Sequence, residues 1–378
     1  MPLFDVYPLY NVKPVSGKDI HVYDDKGAEY LDLYGGHAVI SIGHTHPNYV
    51  KAITNQVETL GFYSNAIQNP LQKELADRIE AVSGCDGYEL FLCNSGAEAN
   101  ENALKLASFK TGKKRVVAFS NGFHGRTSAA VAATDNKNII APINAQQAVT
   151  ILPLNDIEGV KAELEKGDVC AVIVEFIQGI GGLDQGTAEF FEEIDKLCKA
   201  NNTMFIADEI QCGYGRSGKF FAFQHYNVTP DIISLAKGMG NGFPIGGILI
   251  HPSIESKYGM LGTTFGGNHL ACAAGLAVLN TLEEERLIEN TNEISEYLIS
   301  KAKEIPQIKN MKGRGLMIGL EFDFEVGELR KKLIYDHHIF TGGATNKKLL
   351  RILPPLTIKK EHVDQFFEAL KVALTTNN

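Results

Sequence analysis

The sequence predicts an α/β protein built on a mostly parallel or mixed sheet, and three observations carry that expectation. Between about residues 85 and 275, short runs of strand character alternate with helical patterns, an order that packs helices on both faces of one sheet. Runs such as "VCAVIV" and "IISLA" are apolar almost throughout rather than at every second position, as strands covered on both faces are. After "LACAAGLAVLNTLEEERL", a long helical stretch, the pattern changes to an α+β unit. In that unit "RGLMIGLEF" and "LLRILPPL" read as strands and "KEHVDQFFEALKVAL" as an amphipathic closing helix.

Taken in order, the expected strands of the larger unit are "YELFLCN", "RVVAFS", "VCAVIVEF", "TMFIADEI", "DIISLAK" and "GGILIHP". In the helical stretch "AEFFEEIDKLCKANN", Phe190, Ile194, Leu197 and Cys198 fall at i, i+4, i+7 and i+8 and define one apolar face. The N-terminal fifty residues are expected to pack with the C-terminal unit. The resulting division is 1–50 as an N-terminal segment, 51–275 as the large domain and 276–378 as the small one. A chain of 378 residues is comfortable as two domains.

Composition excludes several classes. With 44% hydrophobic and 21% charged residues the chain is ordinarily globular. A net charge of −9 without a Lys/Arg block argues against a nucleic-acid surface. The start "MPLFDVYPLYNV" lacks the basic and apolar regions of a secretory signal, and no run approaches 18 apolar residues. The six cysteines are widely spaced, with no CxxC pair, and read as reduced core residues of a cytoplasmic protein. "HTHP" and "DHHIF" pair histidines, but nothing nearby completes a metal ligand set.

Four constellations could carry chemistry. In "NSGAEANENALKLA", Ser95 and Glu98 have capping-box spacing, and the exposed N–H groups of such a helix start form an anion site. Gly96 lets another group approach the backbone closely. In "NGFHGRT", Phe123 and His124 follow a strand end; a flat ring there can stack on a flat ligand. Arg126 can hold a carboxylate by two parallel bonds, although a surface ion pair is the plainer reading. In "FIADEIQ", Asp208 ends an apolar run, where an unpaired carboxylate is costly and needs a cationic or strongly donating partner; Gln211 stands three residues on. In "SLAKGMGNG", Lys237 ends a buried strand before mobile backbone, the end of a strand at which open sheets bind ligands.

An anion-binding helix start, a stacking ring, a buried acid and a lysine together suit one object, pyridoxal 5′-phosphate. A free lysine is neutral in about one molecule in 2,500 at pH 7, too rarely to act freely as a base. Covalently held to the cofactor, and then released, it can shuttle a proton.

The motifs "NSGAEANENALKLA", "FHGRT", "DEIQCGYGRSG", "LAKGMGNGFPIGG" and "TTFGGN" stand in the order and spacing of a known family. The chain resembles the class III (ω-amino) aminotransferases of fold type I, from "LDLYGGHAVISIGHTHP" to "RILPPL". The resemblance implies a large domain with a mostly parallel seven-stranded sheet and a smaller α+β domain. It implies Lys237 as the Schiff-base lysine, Asp208 as the acid on the pyridinium nitrogen and Gln211 beside the phenolic oxygen. Gly96 and Ala97 are implied as phosphate donors with Ser95 beside them, Phe123 as the stacked ring, and His124 and Glu175 as further cofactor-binding residues. Thr264 matches a threonine that completes the other subunit's phosphate site, which implies a homodimer.

Arg126 and Arg351 match two substrate arginines, the first for the α-carboxylate of an acylated ornithine, the second for that of 2-oxoglutarate or glutamate. The implied reaction moves the δ-amino group of N-acetyl- or N-succinylornithine to 2-oxoglutarate, in arginine biosynthesis. Three positions depart from the family: Phe176 and His269 stand for prolines, and Ile180 stands for a glutamate that in relatives pairs with the arginine at position 351. A succinylated donor would suit that missing anion.

Two other readings use the same residues or tempt by motif. Ornithine or 4-aminobutyrate could be the donor on the same cofactor set. "GMGNG" and "GRGLMIG" suggest a nicotinamide oxidoreductase, but neither is a G-x-G-x-x-G opening a helix with an acid about 20 residues on. A binder that kept the fold without the reaction would be expected to lose Lys237 or Asp208, and both are present.

Overall fold

The computed structural model describes residues 1–375. Its N-terminal strands are β1 (Pro14–Lys18), β2 (His21–Asp24) and β3 (Glu29–Asp32). The central region supplies β4 (Glu89–Cys93), β5 (Arg115–Phe119), β6 (Val149–Leu152), β7 (Val169–Val174), β8 (Met204–Asp208), β9 (Ile232–Leu235) and β10 (Gly246–Ile250). The C-terminal region supplies β11 (Asn310–Arg314), β12 (Met317–Glu321), β13 (Ile339–Phe340) and β14 (Leu349–Ile352).

The central strands form one seven-stranded sheet in the order β4-β10-β9-β8-β7-β5-β6. Neighbours from β9 through β6 run parallel, and β10 alone runs antiparallel to both of its neighbours. All six residues of β7 are buried, as the unbroken apolar run requires of a strand with helices on both faces. The helix Ala188–Ala200 buries Phe190, Phe191, Ile194 and Cys198, while Leu197 is half-buried at the edge of that face.

β3 pairs in parallel with β13, so residues 14–32 and 339–340 share a four-stranded sheet, and β11-β12-β14 form a third sheet. The helix His269–Glu284 packs against the helices Pro47–Thr59 and Pro70–Ser83. Phe176, where the family has proline, fills an aromatic cluster with Phe191, Phe205, Phe223 and Tyr226, at centroid distances of 4.3 to 6.3 Å. His269 is the first residue of its helix, and its buried Nδ1 has no partner. No helix among the described residues is long and apolar enough to cross a membrane.

Candidate active site

The ends of β4, β5, β7, β8 and β9 open on a cavity of about 380 Å³. Ser95, Gly96, Ala97, Phe123, His124, Arg126, Glu175, Asp208, Gln211 and Lys237 all line it, with Ile180. Each lies at the carboxyl end of a strand or in the segment that follows it, which is where a parallel sheet leaves room for a ligand.

At one end Ser95 caps the helix Gly96–Thr111, its hydroxyl accepting from Glu98 N at 3.2 Å. The Glu98 carboxylate reaches back past Ser95 and accepts from Asn94 N at 2.8 Å. The N–H groups at positions 96 and 97 belong to the first helical turn and have no intrahelical acceptor, and both residues line the cavity. Gly96 does let a group approach closely, and that group is protein: a methyl there would lie 2.8 Å from the Ile210 side chain.

The Asp208 carboxylate is buried at 3% exposure. Its Oδ2 accepts from His124 Nδ1 at 2.7 Å and from Asn100 Nδ2 at 2.8 Å, and its Oδ1 accepts from Ile210 N at 3.1 Å. The partner demanded by a carboxylate at the end of an apolar run is therefore His124, 84 residues away in the chain, with Asn100 as a second donor. Burial alone would lower the His124 pKa, but the bond to Asp208 and the nearby Glu175 outweigh it and raise it above the ordinary value. Asn100 lies one turn beyond Gly96 on the same helix, a spacing from which its direction into the site could have been read.

Glu175 accepts from Phe123 N and Gly179 N, both at 2.8 Å, and so fixes the backbone that carries the Phe123 ring. Burial, the first cause, raises its pKa, with Asp208 adding to the rise and His124 opposing it. Gln211 donates to the His37 carbonyl at 3.1 Å, while its buried Oε1 has no partner. A methyl at position 179 would fall on Gln211 Oε1 and force that amide to turn away.

Lys237 sits in the left-handed region at φ 45°, uncommon for a side-chain-bearing residue and a form of strain that gathers at functional sites. The backbone after it is fastened rather than mobile. Asn241 accepts from Ser41 N at 2.8 Å and Ile42 N at 3.0 Å, and the Ser41 hydroxyl donates to Gly238 O at 2.7 Å. No ion pair holds the ammonium among the described residues. Burial lowers its pKa, against the pull of Asp208 and Glu175 and with some help from Arg351.

Residues 35 to 38 form a left-handed turn, with φ of 53°, 56°, 68° and 62° for Gly35, Gly36, His37 and Ala38. Asp32 Oδ1 holds its start by accepting from Tyr34 N at 3.0 Å and Gly35 N at 2.8 Å. No local pattern marks this turn as part of the site, yet it delivers the His37 carbonyl to Gln211 and Val39 to the cavity wall.

Arg126 is exposed at the cavity mouth and makes no ion pair among the described residues, unlike an ordinary surface arginine. Arg351 lies behind the wall, 1% exposed, donating Nε to Gly343 O and Nη1 to Gly179 O, each at 2.5 Å. Burial pushes its pKa down to about 10. Thr264 is outside this cavity, exposed in the loop between Thr263 and Gly266.

The sequence profile described as "Aminotransferase class-III" matches residues 7–374. The chain belongs to the class III aminotransferases. It is 40% identical to the acetylornithine aminotransferase of Caldanaerobacter subterraneus, covering 99% of this chain and 97% of that one. It is 38% identical to the acetylornithine aminotransferase of Aquifex aeolicus, over 98% of this chain and 99% of the relative. Among solved structures, the ornithine aminotransferase from Toxoplasma gondii superposes with a TM-score of 0.89 at 28% identity, covering 98% of this chain and 92% of that one.

The class uses pyridoxal phosphate, and the cavity of this aminotransferase fits that group. A helix start with free N–H groups suits a phosphate, and a buried acid held in place by His124 and Asn100 suits a ring nitrogen. The unpartnered buried oxygen of Gln211 and the unpaired Lys237 ammonium mark a space in which polar groups lack a partner.

Proposed function

We propose that this aminotransferase takes the δ-amino group of an N-acylated ornithine, acetylornithine first, and passes it to 2-oxoglutarate in arginine biosynthesis. The observation that carries the reading is near-full-length identity of 38 to 40% to acetylornithine aminotransferases, joined to a cavity that gathers Lys237, Asp208 and the helix start at Ser95. Bound pyridoxal phosphate supplies an aldehyde for the amine and a cationic ring that draws electrons from the reacting carbon.

The remaining work falls to the chain. The Gly96 and Ala97 N–H groups bind the phosphate. Phe123 covers one ring face, and Asp208 keeps the ring nitrogen protonated, with His124 and Asn100 fixing which oxygen it presents. Lys237 carries the cofactor covalently and, once released, moves the proton at the δ carbon; its lowered pKa raises the neutral fraction able to do so. Arg126 at the mouth holds the donor's α-carboxylate, and Arg351 the acceptor's.

A second reading, a succinylated donor, is favoured by one observation: Ile180 lines the cavity and Arg351 has no carboxylate partner among the described residues. The chain is further read as a cytoplasmic homodimer in which Thr264 completes the partner's phosphate site. Support comes from the exposed rings beside it, Phe62 and Phe265, at a centroid distance of 5.4 Å, and from six free, buried cysteines.

The test has two parts. Borohydride reduction of the holoenzyme followed by peptide mapping is expected to find the cofactor on Lys237, and Lys237→Ala is expected to lose turnover yet retain cofactor by its phosphate and ring contacts. Label on another lysine would overturn the site. The ratio kcat/KM is expected to be highest for an acylated ornithine; a preference for free ornithine or 4-aminobutyrate would overturn the substrate.

A further inference from the structure

Behind the cavity wall, the stretch Thr341-Gly342-Gly343 runs between two guanidinium groups. Arg351 Nε donates to Gly343 O at 2.5 Å from one side, and Arg330 Nη2 donates to Thr341 O at 3.0 Å from the other. The two glycines make the approach possible. A methyl at position 343 would lie 2.6 Å from Arg330 Nη1, and one at 342 would lie 3.2 Å from Tyr34 and 3.4 Å from Arg351 Nε.

Among the described residues neither arginine has a carboxylate partner; their hydrogen bonds go to main-chain carbonyls, and the Arg330 guanidinium also lies over the Tyr10 ring, 5.8 Å from its centroid. Arg330 Nε and the hydroxyl of Thr341, itself 2% exposed, are both buried without a hydrogen-bond partner. All of these unsatisfied groups can donate. A trapped water could satisfy these donors, but it would leave the buried Arg351 charge, repelled by the half-buried Arg330, with no anion in contact, which burial makes costly. An anion held by Arg351 answers that charge. The wall beside them is Gly179 and Ile180, so the side chain nearest in sequence to the Arg351 bond is neutral.

We propose that Arg330 is a positioning residue of the acceptor subsite, pairing with Arg351 across Gly342 and Gly343 so that this end of the cavity takes the carboxylate of a dicarboxylic 2-oxo acid. The inference rests on the aminotransferase reading above and adds a residue to it. Arg330 acts through the shared backbone and through its charge, whereas Arg351 makes the contact. The field is already visible on neighbours: burial and the cations Arg351, Lys237 and Arg330 together hold His37 down at about 4, neutral and unable to compete as a cation for the same anion.

The experiment uses the holoenzyme and three forms, wild type, Arg330→Gln and Arg330→Lys, each checked for cofactor content and melting temperature. The expected result for Arg330→Gln is a roughly tenfold rise in KM for 2-oxoglutarate, the scale of losing one charged donor, with kcat within about twofold and donor KM unchanged. Arg330→Lys is expected to recover most of the loss. Titration calorimetry with glutarate, an unreactive dicarboxylate, is expected to show the same order of affinities.

If donor and acceptor constants move together, if neither moves, or if lysine is no better than glutamine, Arg330 only packs and the proposal falls. Glutarate binding separates this from the substrate reading. Glutarate affinity lost in Arg330→Gln alongside an inactive acylornithine assay would keep the subsite and discard the donor. Unchanged glutarate affinity would discard the subsite whatever the donor.

Discussion

Replacing Asp208 by asparagine tests the electrostatic centre of the site. The carboxylate accepts from three donors, His124 and Asn100 on Oδ2 and Ile210 N on Oδ1. An amide has one oxygen, and the two-donor position claims it. The new NH2 must then face Ile210 N, donor against donor, and present a donor to the cavity where an acceptor stood. A ring nitrogen there loses its reason to stay protonated. Two unit charges about 4 Å apart at an effective dielectric near 20 attract by about 4 kcal/mol, close to a thousandfold in rate if all of it is lost from the barrier.

The expected fall in the single-turnover rate with N-acetylornithine is therefore about 10²- to 10³-fold, followed by stopped-flow absorbance of the loaded enzyme. A second readout comes from stability. Asp208 raises the His124 pKa in the folded protein above its value of about 6.5 in an unfolded chain. A raised cation stabilises fully below the unfolded pKa and loses that contribution as pH rises through the folded one. The stability gap between wild type and Asp208→Asn apoprotein is thus expected to be widest below about pH 6.5 and to narrow on the alkaline side, in urea melts at several pH values. An unchanged half-reaction rate at full cofactor loading would refute the charge assignment, and a gap independent of pH would refute the His124 pairing.

Two further substitutions probe the wall. Gly179→Ala puts a methyl on Gln211 Oε1, so cofactor affinity is expected to drop by about tenfold or more while the melting temperature of the apoprotein changes by a few degrees; dialysis equilibrium with pyridoxal phosphate measures it. Ile180→Glu places a carboxylate beside the residue whose carbonyl Arg351 already holds. It is expected to shift the kcat/KM ratio of acetylated to succinylated donor by roughly ten- to hundredfold in favour of the acetylated one. An unchanged ratio would mean that Ile180 does not face the acyl group.

Much of this arrangement was legible in the sequence, and the rest fails for identifiable reasons. Strands such as β7 announce themselves because burial on both faces removes polar residues from every position. β6 was not foreseen: "VTIL" is only half-buried at the sheet edge, so its apolar signal is weak. Ser95, Asp208 and Lys237 were readable because each breaks an apolar run at its end. Which group answers Asp208 was not, because His124 reaches it across 84 residues and no local pattern encodes that distance. The left-handed turn at Gly35–Ala38 is likewise tertiary in origin, imposed by Asp32 at one end and by the Leu353 carbonyl, 2.9 Å from a methyl at Gly35. The Arg330–Arg351 pairing depends on two glycines that read in sequence as an ordinary loop.

The reversed strand has a consequence for how the enzyme is made. β4 has a single neighbour in the sheet, β10, whose first residue lies more than 150 positions further along the chain than the first of β4. The helix start at Ser95 hangs from β4, and Lys237 follows β9 on the other side of β10. β4 gains its one sheet partner only when β10 is in position, and a ribosome must have delivered residue 250 before that pairing can be complete. Insertion of that one strand is a long-range closure of the kind that folds slowly. Uptake of the cofactor by a nascent or refolding chain would time that event.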